Sequence, residues 1–151
     1  MAALSVLSAA TLCACSLTES ALDEATSSAR WSASSLQANL SDVAPRGHAE
    51  IKDHIERHNR ADQSIRYGDY LEINPKTGAV DAVVPSRTQT GGGLFAEDET
   101  VVLCVTFLIN LAAGEVSIVD TACPDEIRDP GYDNPGEYDV GSATEVTLED
   151  E

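Results

Sequence analysis

Apolar residues are spread unevenly along the chain, and their spacing changes from segment to segment. Between His48 and Ala61, Ile51, Ile55 and His58 recur at i, i+4 and i+7, the period of a helix with one buried stripe. The positions around that stripe, including Lys52, Asp53, Glu56 and Arg57, are polar, so the predicted helix covers the edge of a sheet rather than the centre of a core. From Tyr70 the period drops to two. Leu71 and Ile73 share one face of a predicted strand, and Val80, Ala82 and Val84 share one face of a second. Asn74-Pro75-Lys76-Thr77-Gly78 supplies the turn between them: Pro75 fixes φ and Gly78 accepts the left-handed conformation. Pro85 is predicted to end the second strand, and Arg87–Gly93, with its three consecutive glycines, reads as a loop.

Thr100–Leu111, TVVLCVTFLINL, is apolar at nearly every position and rich in β-branched residues. That pattern predicts a central strand buried on both faces, one of them under the helix. Ala112-Ala113-Gly114 turns the chain, and Glu115–Thr121 returns with Val116, Ile118 and Asp120 on one face. A hairpin centred near Ala112–Ala113 sets Thr121 opposite Cys104, with Cys123 just beyond and within reach after a small bulge. A Cys104–Cys123 disulfide is therefore predicted, and in the chain-entropy model it contributes roughly 3 kcal/mol. Pro124, Pro130 and Pro135 exclude a long helix from the acidic segment that follows, and Ala143–Leu148 is predicted to add an edge strand.

Two segments precede this pattern. Residues 16–44 are rich in Ser and Ala with few large apolar side chains, and they read as a flexible tether with a short helical piece near Ala21–Ala25. Trp31 stands out there, as either a surface aromatic or a docking anchor. Residues 1–15, MAALSVLSAATLCAC, form an uncharged apolar run too short to cross a bilayer, which takes ~20 residues, and suited to an export signal. Leu12-Cys13-Ala14-Cys15 resembles the lipobox of bacterial lipoproteins: Leu12, Ala14 and Cys15 match, while Cys13 replaces a small residue. No Lys or Arg precedes Arg30, which departs from the usual basic start of a signal. The resemblance implies lipidation at Cys15 and a membrane anchor through acyl chains. Ordinary secretion and a buried N-terminus of a cytosolic protein are the other readings.

The whole predicts an α+β protein: a small antiparallel sheet of about four strands with one packed helix, at residues 45–149, behind a signal and tether region. The net charge of −17 sharpens the reading of partners. From Glu97 to the end there are 15 acidic residues and one basic, Arg128, against 11 and eight in the first 96 residues. Such a field repels nucleic-acid phosphate, so no nucleic-acid partner is expected; a protein or a cationic ligand suits it better.

Candidate chemistry is sparse. His54 and His58 stand one helical turn apart, a workable spacing for two ligands of Zn²⁺, with Glu50 four residues before His54. The segment HIERH is not the H-E-x-x-H arrangement of metalloproteases. The loop Asp125–Asp139 offers oxygen ligands that suit Ca²⁺, including Asp129, Asp133 and Asp139, but lacks the EF-hand spacing. Tyr132 and Tyr138 in the same loop present apolar rings with polar tips, as contact residues for a protein partner do. No phosphate loop or nucleophile elbow occurs. The expected function is an extracytoplasmic binding or envelope accessory module without catalysis or cofactor. The alternatives are a metal-dependent hydrolase using His54 and His58, and a weak calcium-binding module.

Overall fold

A computed structural model describes residues 20–62, 70–90, 97–128 and 140–149. Its first element is helix α1, Ala21–Val43, which occupies most of the segment expected to be a flexible tether. Two local features form it. Ser20 Oγ accepts the Asp23 backbone N–H at 3.1 Å while the Asp23 carboxylate accepts the Ser20 N–H at 3.3 Å, a reciprocal capping box. Alanine, the best helix former, then recurs on one face as Ala21, Ala25, Ala29 and Ala33, and Leu36, Leu40 and Val43 continue that stripe; all seven are buried. Each methyl group removes little area from water, which is why composition suggested a tether. Regular spacing and small size instead let the helix lie close against a sheet. The folded unit therefore includes Ala21–Val43 as well as the part that follows Pro45.

Pro45 ends α1 in a short 3₁₀ turn, Ala44–Arg46, and Gly47 at φ +95° redirects the chain into helix α2, His48–Asp62. Ile51 and Ile55 are buried, as the stripe predicted. The helix packs on strand β1, Tyr70–Ile73, at one edge of the sheet. Asn59 fastens it there: its side-chain Nδ2 donates to the Leu71 carbonyl at 2.8 Å and its Oδ1 accepts the Leu71 N–H at 3.1 Å. One carboxamide thus satisfies both outward backbone groups of Leu71 in this edge strand, which would otherwise be open to pairing with another chain.

Strand β1 pairs antiparallel with β2, Val80–Thr90, across the predicted turn. Asn74 Oδ1 accepts the N–H groups of Lys76 and Thr77, and Gly78 takes φ +72°. Strand β2 does not stop at Pro85; it runs on to Thr90, taking in the first part of the expected loop. The two-residue alternation of the ladder turns the Pro85 nitrogen away from its β3 partner Val102, and β1 begins further along, at Tyr70 opposite Val83. The missing N–H therefore costs no bond to β3.

The centre is β3, Glu97–Asn110, antiparallel to β2 and to β4, Glu115–Asp120. Strand β5, Thr144–Val146, pairs parallel with Val101–Leu103 and so shares with β4 the remaining edge of β3. The class is α+β with an antiparallel sheet, as expected, and the fifth strand is the predicted edge strand in parallel orientation. Val101, Leu103, Val105 and Phe107 face α1 within the main core. Val102 and Cys104 face the other way, into a smaller cluster with Ile127, Val140 and Ala143. The expectation that β3 is buried on both faces holds over this half of the strand, and the acidic C-terminal segment supplies the second cover.

Thr121 donates to the Cys104 carbonyl at 3.0 Å, the pairing expected from the hairpin centre. Cys104 and Cys123 are joined by a disulfide with Cα atoms 5.2 Å apart. It anchors the start of the C-terminal segment to the central strand.

Candidate functional site

Helix α2 brings His54 and His58 onto one face, both half-buried. Burial lowers the pKa of His54 from its ordinary 6.5, assisted by the charges of His58 and Arg57 and opposed by Glu50. Glu50, one helical turn before His54, is paired with two arginines: its Oε1 lies 3.6 Å from Arg46 and 3.6 Å from Arg57. The third histidine, His48, sits by the hairpin turn, its Cε1 3.5 Å from where a Cβ on Gly78 would stand. Among the described residues no group of three or more His, Cys, Asp or Glu side chains is arranged to hold a metal ion. The pair His54 and His58 is thus assembled, without a third ligand from those residues.

An open cleft of about 450 Å³ lies where β4 ends and β5 begins. The disulfide, Asp120, Thr121, Glu145, Val146 and Thr147 line it. Asp120 Oδ1 accepts the Leu148 N–H at 2.8 Å, which ties the C-terminal strand to β4. Both sulfurs are consumed by their bond, so the cleft offers carboxylates and hydroxyls but no thiolate. The Asp120 and Glu145 carboxylates stand at its edge beside apolar lining from Ala122 and Val146.

The remaining predicted positions, Asp129, Asp133 and Asp139 as metal ligands, Tyr132 and Tyr138 as contact residues, and Cys15 as the lipidation site, lie outside the described residues. Ile127, just before that loop, is buried and holds the 3₁₀ turn Asp125–Arg128 against the second face of the sheet.

Sequence reasoning missed a different surface. Leu108 is 47% exposed and Val119 is 41% exposed, and both lie on the sheet face opposite α1. The register pairs Thr106 with Val119 and Leu108 with Ser117, so the two apolar side chains are diagonal neighbours. The apolar run around Leu108 gave no sign of this. Its exposure follows from parity: once Phe107 points under α1, Leu108 must point away, beyond the reach of the Ile127 cluster. Trp31, 72% exposed on the outer side of α1, is another large apolar surface residue, a position that a surface aromatic and a docking anchor share.

Among the described residues, no helix is long and apolar enough to cross a membrane. Compared with known proteins, the chain matches no family model, no curated protein and no solved structure.

Proposed function

We propose that this chain is a non-catalytic binding module of an extracytoplasmic compartment, held at a membrane through an acylated Cys15. The observation that carries the reading is the Cys104–Cys123 bond. Such bonds persist where the surroundings are oxidising and are rare where thiols are kept reduced. The lipobox-like Leu12–Cys15 segment supports the membrane address. With Cys15 acylated after cleavage and Cys104 paired with Cys123, a mature chain starting at Cys15 has no spare thiol. The binding role rests on the charge of −17 and on an acidic cleft that offers a cation carboxylates and hydroxyls. That charge speaks against nucleic-acid partners.

Intact mass of the protein from its native host tests the address. The expected result is a chain cleaved before Cys15, heavier by an acyl adduct and lighter by the two hydrogens of the disulfide. Cleavage without the adduct moves the protein to the secreted class. An unprocessed chain with free thiols rejects the extracytoplasmic reading altogether.

A further inference from the structure

The sheet face opposite α1 is covered at one end and open at the other. Ile127, Val140 and Ala143 close over Val102 and Cys104, but at the β3–β4 hairpin end Leu108 and Val119 remain exposed, with Val83 half-buried beside the covered part. Of the four exposed large apolar residues among those described, two stand together on this patch. Adjoining apolar side chains that no described residue covers are how contact surfaces differ from scattered surface apolar residues.

The charges on the strands around the patch have one sign, and Lys76 in the β1–β2 turn is the nearest basic residue along the chain. Glu72 and Asp81 are cross-strand partners on the same face, and Glu115 lies at its far corner, opposite Asn110. Residues 70–73, 80–84, 104–110 and 115–120 contain no Lys or Arg. Like charges directly across an antiparallel pair are unfavourable. Asp81 is nevertheless held in place, accepting from Thr106 Oγ1 at 2.7 Å and from Asn74 Nδ2 at 3.4 Å. Carboxylates at the rim of an exposed apolar patch attract cations that approach it.

We propose that this face docks a basic protein segment that presents aliphatic side chains to Leu108 and Val119 and Lys or Arg to Glu72, Asp81 and Glu115. The proposal rests on the binding-module reading and adds to it a surface apart from the cleft, with the chemistry of the partner that surface takes. A second copy of the chain is a poorer occupant, since it carries the same net charge of −17 and the same carboxylates on this face.

The test uses the full chain with its disulfide formed, titrated with a peptide of alternating Leu and Lys and, separately, with one of alternating Leu and Glu. Amide shifts in NMR spectra locate binding. The expected result is saturable shifts centred on Thr106, Leu108, Ser117 and Val119 with the Lys peptide, weakened by salt, and none with the Glu peptide. Leu108→Ser combined with Val119→Ser should weaken binding by about tenfold or more, with little change in melting temperature because both side chains are already exposed. Glu72→Gln with Glu115→Gln provides a second variant and should weaken binding while flattening its salt dependence. Shifts centred on Trp31 or on the cleft beside Cys123, or equal affinity of the double-serine variant, would overturn the proposal. Concentration-dependent shifts at the same residues without peptide would also overturn it, in favour of self-association. These outcomes leave the compartment reading standing, because that reading is decided by the mass of the native protein.

Discussion

Single residues carry constraints that their sequence neighbours only partly disclose. Gly114 was legible as a turn residue, and it adopts φ +67°. Its second constraint comes from a distant segment, since a Cβ there would stand 3.2 Å from Pro45 Cγ. Strain and crowding act together, so Gly114→Ala should lower stability by about 1–2 kcal/mol in urea denaturation, with an unchanged midpoint contradicting both contributions. His54 was legible as half of a pair with His58 but not as a group with a depressed pKa, because that depends on burial against the fold. The folded chain binds this proton less readily than the unfolded chain. The corresponding stability is complete above pH 6.5 and declines as pH falls through 6.5 toward the lower folded value. An NMR titration of His54 should give a midpoint below 6.5, and His54→Gln should flatten the dependence of melting temperature on pH across that window. A midpoint at or above 6.5 would contradict the burial argument.

At the scale of elements, helix α2, the β1–β2 hairpin and the β3–β4 hairpin followed from periodicity and turn residues, whereas α1 did not. Its signals were present: Ser20 and Asp23 have capping-box spacing, and alanines recur every four residues. They were weak because methyl groups score low on any hydrophobic pattern, and their value depends on a sheet lying close enough to use them. The same closeness makes the stripe intolerant of size. Ala29→Leu should cost about 1–3 kcal/mol by overpacking against β2 and β3, while Ser28→Ala on the exposed side should stay within about 0.5 kcal/mol. Thermal melts of the two variants compare these directly, and equal melting temperatures would remove the close-packing account. Strand β2 passing through Pro85 teaches a related lesson. A proline ends a strand only where its nitrogen faces a partner, and which way it faces is a property of the register.

Across the whole molecule, the disulfide joins the central strand to the segment that covers the second sheet face. Its loop spans a sequence separation of 19 residues, so replacing Cys104 and Cys123 with Ala should lower stability by about 3 kcal/mol, and reductant should destabilise the parent chain similarly while leaving the variant unchanged. Identical urea midpoints for parent and variant would sink that assignment. By itself the sequence determined the antiparallel hairpins, the pairing of Thr121 with Cys104, and the net acidity of the chain, since these depend on local spacing and on charge summed along the chain. Tertiary structure alone decided that an alanine-rich segment is the main cover of the sheet and that Leu108 and Val119 remain exposed beside a rim of carboxylates. Both depend on what lies across each face, and a face acquires its neighbours only when segments far apart in sequence come together.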